Sequence, residues 1–337
     1  MQGKVIPRAQ RAQPSAIRAE PDDLQTTRQE VTRKLQGAAF GAPIDSSTPL
    51  GPEHAEVAAA VRLSLATIVD KPNYAPRRPL LLPKLVQAMN NDDVSRRALA
   101  AIIASDPALA GSLLRLANSP FYRLTHEPIE SVDRAVAVLG IEGIRSLVVA
   151  ALMQPVFRIS GTDFAQFGDV TWEHTVLAGK GSETHAAEVE NTDPFAAQLL
   201  ALMLGLATII VFRVGLDEYT ARQLPPRASV LAELIDAQAA IVARHVARSW
   251  QLSERIDTAL ADQSTSALAP KSALGRSLQF GQFIGALAVL RTRGIVSEDD
   301  VGVALMTAGE QTGAYQRMWE RLVPKAPTPP EIVTPSR

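Results

Sequence analysis

Histidine is the side chain in this sequence best suited to metal binding or proton transfer, and the chain contains five. His174 and His185 fall on one helix predicted from about residue 170 to 190, separated by about three turns. That separation is too large for both rings to bind one ion. Glu183 or Glu188 would need a further ligand from another helix to complete a site. We therefore expect His174 to make a structural hydrogen bond rather than to bind metal.

Other catalytic patterns are missing from the sequence. The chain has no cysteine, which excludes disulfides, thiol catalysis, cysteine-ligated zinc and iron-sulfur centres. Gly-Lys-Gly-Ser at residues 179–182 lacks the upstream glycine of a P-loop, and no Gly-x-Ser-x-Gly elbow occurs. The remaining histidines show no metal-ligand spacing: His54, His126 and His245. We expect no catalytic residue, no bound metal and no cofactor.

Polar and aromatic side chains gather at the end of one predicted helix and form a candidate interaction surface: Arg115, Asn118, Tyr122 and Arg123. An alternative reading makes Asn118 a helix cap, Tyr122 a half-buried packing group and Arg115 an exposed helix residue. Both readings remain open from the sequence.

Basic residues offer a second candidate surface. Lys and Arg (34) nearly balance Asp and Glu (35), so no net field attracts the chain to nucleic acid or to an anionic membrane. A local strip could still meet nucleic acid or an acidic protein through Arg222, Arg227, Arg244 and Arg248. Few aromatic residues lie among these arginines, so the sequence does not indicate stacking of nucleic-acid bases on the protein.

Apolar residues recur at three- and four-residue spacing from about residue 53 to 322, with no convincing two-residue alternation. The pattern predicts an all-α protein, a multi-helix bundle in two adjoining layers. Three helix starts are marked by Ser95, by Asp106 with Pro107 in the first turn, and by Ser131. The Ser95 helix is predicted to run over residues 95–105, and a longer helix is predicted at residues 141–156. Later helices are predicted at residues 170–190, 227–250, 253–261, 272–293 and 298–322.

Composition divides the chain into four predicted parts. Residues 1–52 are rich in Gln, Arg, Pro, Ser and Thr, so we expect a disordered N-terminal arm whose one candidate helix is Asp23 to Leu35. Residues 53–157 form an N-terminal helical subdomain, and residues 158–322 form a second helical subdomain. Residues 323–337 are a proline-rich tail.

The segment from Phe195 to Phe212 is apolar apart from Gln198 and Thr208, which is close to the length that a bilayer requires. A buried helix at the centre of a bundle has the same composition. Amphipathic helices flank the segment and no second span exists, so we expect a buried helix. The first residues lack an apolar run of signal-peptide length, and we expect a cytoplasmic location.

A dense set of positions between Leu82 and Phe157 resembles the HDOD family. The residues that carry the resemblance are Leu82-Pro83, Ser95, Ile103 to Leu109, Leu113 to Ser119, Phe121-Tyr122, Ile129, Ser131, Ala135, Leu139-Gly140, Ile144-Arg145 and Leu147. The resemblance fades across residues 170 to about 310. It implies an all-helical bacterial regulatory domain related to the HD phosphohydrolases, in which a His-Asp pair near the end of an apolar helix helps to hold a divalent metal.

The resemblance also implies that this metal site is degenerate. The corresponding apolar helix runs over residues 197–211 and places Leu204 at the His position and Gly205 at the Asp position. Neither side chain can bind a metal. The positions where the family often has a pair of histidines are Asp262 and Gln263.

We therefore expect a non-enzymatic signal-transduction regulator that acts as a scaffold or adaptor by binding a partner protein. Two alternatives stay open: a divergent metal-dependent phosphohydrolase that uses His174, and a gene regulator that touches DNA through the arginine strip or the N-terminal arm. The partner, the upstream signal and homo-oligomer formation are not determined by the sequence.

Overall fold

The computed structural model describes residues 21–44, 51–68, 100–101, 103–104, 107–118, 127–140, 144, 159, 163–264, 269, 271–308 and 313–323. These residues form helices and no strand, which confirms the all-α prediction. The α-helices are α1 (Pro21–Phe40), α2 (Pro52–Ala66), α3 (Pro107–Ala117), α4 (Phe167–Glu188), α5 (Pro194–Ala221), α6 (Ala228–Ser249), α7 (Glu254–Ala261), α8 (Ala273–Thr292), α9 (Glu298–Thr307) and α10 (Ala314–Leu322). Residues 132–140 are also helical.

Helix α4 is the centre of the described bundle. It packs along α8 on one side and along α5 on the other, and α6 covers the next face of α5. Helix α2 packs against α5 and α6. Buried aliphatic and aromatic side chains from all of these helices join one hydrophobic core. The fold thus stacks its long helices side by side around α4 and α5.

Glycines allow α4 and α8 to approach each other closely. A Cβ atom on Gly281 would lie 2.7 Å from the backbone nitrogen of Ser182, and one on Gly285 would lie 2.6 Å from the backbone nitrogen of Ala178. Real Cβ atoms do not approach other heavy atoms within 3.0 Å. Any larger residue at these two positions would therefore push the helices apart.

Side-chain caps set the starts of α5 and α8. Asp193 Oδ1 accepts from the backbone N–H of Ala196 (3.0 Å), and Pro194 follows at the first turn of α5. Ser272 caps α8 in the same way by accepting from Gly275 N (3.0 Å). These caps satisfy N–H groups that have no partner inside the helix. The starts of α5 and α8 lie within a few residues of the sequence-based ones.

Helix α5 is long and apolar enough to cross a bilayer, and 78% of its most apolar 18-residue window is buried in the bundle. It begins near the predicted Phe195 and continues past Phe212 to Ala221. Its buried side chains face α4, α6 and α2, so its apolar surface is used in the core.

The structure corrects two expectations. The disordered-arm prediction for residues 1–52 is wrong over α1, where Val31, Ala39 and Phe40 are buried. Phe40 packs edge-on to Phe164 with ring centroids 5.0 Å apart, so the helix is stabilised by a tertiary contact that composition does not register. Residues 1–20, 45–50 and 324–337 lie outside the described residues, so the rest of the arm and most of the tail stay predictions.

The second correction concerns the last predicted helix, 298–322. It is two helices, because α9 ends at Thr307 and α10 starts only after Gly313. Gly313, the residue before α10, has a φ of +68°, a left-handed conformation that glycine adopts without strain and that a right-handed helix does not include. The predicted helices 95–105 and 141–156 fall largely outside the described residues.

Candidate functional site

Helix α5 carries at its middle the two positions that the resemblance predicts to be degenerate, Leu204 and Gly205. Leu204 is partly buried and faces a cavity of about 310 Å³, whereas Gly205 is buried against α4. A Cβ on Gly205 would lie 2.7 Å from Cγ2 of Thr175 and 2.9 Å from its Cβ. The space that an aspartate would need at this position is therefore filled by the neighbouring helix.

His174, one residue before Thr175 on α4, lines the same cavity. Its Nε2 lies 3.0 Å from the carbonyl oxygen of Gln282 on α8. A carbonyl only accepts, so Nε2 carries the proton and Nδ1 keeps the free lone pair. Burial lowers the pKa of His174, opposed by the weaker effect of this hydrogen bond. The ring is thus neutral near pH 7 and tied to the backbone of α8.

His185 lies in a different environment near the end of α4. It is buried, its Nδ1 lies 3.2 Å from Ser277 Oγ, and it stacks on Phe280 with ring centroids 4.6 Å apart. Ser277 already donates to the carbonyl of Ala273, so His185 Nδ1 is the donor in this contact. Burial lowers the pKa of His185 to about 4. This histidine is a core residue, and the structure does not bring it to His174.

The cavity beside Leu204 is covered by α1. Gln36 of α1 donates from Nε2 to Asp236 Oδ1 of α6 at 2.7 Å, and both residues line the cavity. Burial raises the pKa of Asp236, and the Gln36 hydrogen bond opposes that effect. Leu204, at the position where the resemblance predicts a histidine, therefore lines a pocket that α1 partly covers. In the part of the chain that the structure describes, no group of three His, Asp or Glu residues could hold a metal ion.

Asp262 and Gln263, at the second degenerate position, stabilise a turn. Asp262 Oδ2 accepts from the backbone N–H of Ser272 (2.8 Å) and from its hydroxyl (2.6 Å). Gln263 Nε2 donates to the carbonyls of Ala259 (2.8 Å) and Gly275 (3.2 Å). These contacts connect α7 to the start of α8. Their role is to fix the chain between the two helices.

The candidate interaction surface is only partly within the described residues. Arg115 is exposed on α3. Asn118 turns inward: its Oδ1 accepts from Ile129 N (2.8 Å), and its Nδ2 donates to the carbonyls of Leu114 (2.9 Å) and Ile129 (2.8 Å). This arrangement matches the helix-cap reading. Tyr122 and Arg123 lie outside the described residues, so the surface stays a prediction.

The arginine strip is largely neutralised by acidic neighbours. Arg244 and Arg248 each form a two-pronged contact with Asp257, with shortest distances of 2.9 and 2.7 Å. Hydrogen bonds from these two guanidinium groups hold the pKa of Asp257 down to about 2. Arg222 pairs with Glu218 one turn away. Paired guanidinium groups have fewer free N–H groups for a phosphate backbone, which weakens the case for a nucleic-acid surface.

Helix α1 is the element that the sequence reading missed as part of the site. Its signal was present: Val31, Leu35 and Ala39 recur at four-residue spacing and form the face that packs inward. The high polar content of the surrounding residues obscured this short apolar stripe. Arg28 and Gln36, which face the cavities, have no sequence signature of their own.

The fold and the site together define an all-helical domain in which Leu204 and Gly205 of α5 stand at the two positions that the resemblance predicts to be degenerate. The chain belongs to the HDOD domain family, whose pattern matches residues 75–266, more than half of the sequence. Residues 75–99 of this match lie outside the described residues.

Two solved structures resemble the chain at low sequence identity. A provisionally named metal-dependent phosphohydrolase from Shewanella amazonensis SB2B has a TM-score of 0.52 and 16% identity, covering 81% of this chain and 100% of that one. An HDOD domain protein of unknown function from Geobacter sulfurreducens has a TM-score of 0.46 and 14% identity, covering 89% and 100%. An uncharacterized protein of Treponema pallidum (strain Nichols) is 28% identical over 97 residues, spanning 29% of this chain and 19% of that protein. The first likeness supports the helical fold alone.

Proposed function

We propose that this chain is a non-enzymatic bacterial signalling regulator, a cytoplasmic scaffold or adaptor that acts by binding a partner protein. The observation that carries the proposal is the packing at Gly205. Thr175 occupies the space that a metal-binding side chain would need there, so the degenerate position is built into the contact between α4 and α5. A restored ligand would have to displace a helix.

The state of His174 supports the same proposal. Activation of a hydrolytic water by a metal requires several nitrogen or oxygen ligands around one ion. His174 already donates from Nε2 to Gln282 and is neutral, and Leu204 offers no donor atom beside it. The neighbouring Asp236 accepts from Gln36. The Nε2–H of His174 and the Oδ1 of Asp236 thus already have hydrogen-bond partners within the protein.

The first test is metal content and turnover. The full chain, purified from cells grown with added iron, manganese and zinc, should contain none of these at one equivalent and should not hydrolyse cyclic or nucleoside phosphates. A stoichiometric divalent ion, or turnover that is abolished by His174→Ala, would contradict the proposal.

The second test is partner capture from the native cell with the full chain as bait. Arg115→Glu reverses an exposed charge on the candidate surface, and Lys34→Glu makes the same change on α1, away from that surface. We expect a captured partner to be lost with Arg115→Glu and retained with Lys34→Glu. Retention of every captured protein by both variants would remove this surface from the proposal.

A further inference from the structure

A cavity of about 850 Å³ lies between α1 on one side and α6 and α8 on the other. Its wall is rich in uncharged amides, contributed by Gln25, Gln29, Gln36, Gln263, Gln279 and Gln282. His174 lies where this cavity adjoins the smaller one beside Leu204. A volume of this size is in the range of pockets that hold small organic ligands.

Arg28 of α1 is a cation in this wall with incomplete hydrogen bonding. Its Nη1 donates to Gln279 Oε1 at 3.3 Å, while its Nε is shielded from solvent and meets no acceptor among the described residues. No carboxylate lies within ion-pair distance of it in the described part of the chain. Burial lowers the pKa of Arg28. A partly buried guanidinium without a carboxylate partner is unfavourable, and an oxyanion in the cavity would offset that cost through the guanidinium N–H groups other than the shielded Nε.

The acids that line the cavity have partners on the protein. Glu233 pairs with Arg62 (3.7 Å), and Asp236 accepts from Gln36 (2.7 Å). Near Arg28, the ammonium of Lys271 is attracted by Asp262 and is also close enough to repel the Arg28 guanidinium. Arg28 itself has no carboxylate partner among the described residues.

We propose that this cavity binds a small organic oxyanion, a carboxylate or a phosphate monoester, with Arg28 as the anchor for its anionic group. The glutamine amides, which both donate and accept, contact the polar body of the ligand, and His174 Nδ1 offers a further acceptor. Because α1 supplies the cation, a bound ligand also holds α1 against α8. This goes beyond the proposed function, for it gives the regulator a chemical input.

The test is calorimetric titration of the full chain with four probes: glycerol 3-phosphate, adenosine 5′-monophosphate, succinate and citrate. Glycerol, adenosine and sodium chloride at matched ionic strength are the controls. We expect either the two phosphate monoesters or the two carboxylates to bind saturably. The class that binds shows whether the ligand of this cavity is a phosphate or a carboxylate. Arg28→Gln should weaken binding by about tenfold or more, since a charge-assisted hydrogen bond is lost.

Three further measurements separate recognition from folding. Lys34→Gln, an exposed change on the same helix, should bind as the wild type does. Gln279→Glu places a carboxylate beside Arg28 without changing α1, and should weaken binding as much as Arg28→Gln. Amide hydrogen exchange in α1 should slow when the probe binds.

The proposal is overturned if none of the four probes binds saturably, or if Arg28→Gln and Gln279→Glu bind like the wild type. Because the assay uses the purified chain alone, this result is independent of partner capture. A failure of either proposal is thus distinguishable from a failure of the other.

Discussion

Replacing Gly281 with alanine tests the close contact between α4 and α8. The added Cβ would lie 2.7 Å from Ser182 N and closer still to the carbonyl oxygen of Ala178. Both are backbone atoms of α4, so neither can rotate away, and the helices must separate by several tenths of an ångström. The perturbation therefore acts on the most extensive helix contact of the bundle.

The size of the effect follows from two opposing contributions. Overpacking a tight core costs about 1–3 kcal/mol, and contact with backbone places Gly281→Ala at the upper end of that range. Alanine in a helix gains about 1 kcal/mol over glycine. The net loss is about 2 kcal/mol, which corresponds to a fall in Tm of about 4–8 °C.

Urea denaturation and scanning calorimetry of the full chain measure this loss. Gly302→Ala on α9 is the matched control, because a Cβ there meets nothing within 4 Å. It should stabilise the chain by about 0.5–1 kcal/mol. Ser182→Ala added to Gly281→Ala should restore only part of the stability, since it removes the Ser182 hydroxyl and leaves the backbone contacts. If Gly281→Ala is as stable as Gly302→Ala, the packing argument is wrong.

Three other changes have defined outcomes. The pKa of Asp257 is lowered to about 2, so its ion pairs contribute stability that is complete above its unfolded pKa of about 3.9 and is lost as pH falls through 2. Asp257→Asn should remove about 1 kcal/mol at pH 7 after allowance for solvent screening, and the difference from wild type should vanish near pH 2 in acid denaturation curves. Asn118→Ala removes three hydrogen bonds and leaves the backbone of Ile129 without its partners, so urea unfolding should show a loss of about 2–3 kcal/mol. Gly205→Ala should lower Tm through the clash with Thr175, and Thr175→Ala, which removes both Oγ1 and Cγ2, should recover part of the loss; no recovery would contradict the packing assigned to this position.

The helical class and most helix boundaries follow from local sequence. Asp193-Pro194 and Ser272 each precede an apolar periodic segment and begin a helix there, because a side-chain cap involves only residues that are close in sequence. The resemblance to the HDOD family likewise depends on residues read in order. Local rules were insufficient at α9 and α10, where Gly313 interrupts a pattern that otherwise continues.

Only part of the local structure around Leu204 and Gly205 could be predicted from the sequence. The sequence indicates that Leu204 and Gly205 cannot bind a metal, since side-chain chemistry is set by residue type. It does not indicate that Thr175 fills the space beside Gly205, because that contact joins residues 30 positions apart on two helices. The sequence likewise does not indicate the hydrogen bond from His174 to the carbonyl oxygen of Gln282.

What the sequence determined by itself was the all-helical class, the family and the types of side chain at the two positions predicted to be degenerate, because these depend on residue identity and short-range spacing. What only the tertiary structure decided was the packing of α1 across the bundle, and with it the cavity that holds Arg28 and the partners of each buried polar group. The physical reason is that the free energy of such contacts depends on which distant residues meet. The sequence indicates a candidate helix from Asp23 to Leu35, but its burial through Val31 and Phe40 depends on the surface that α4 and α8 provide.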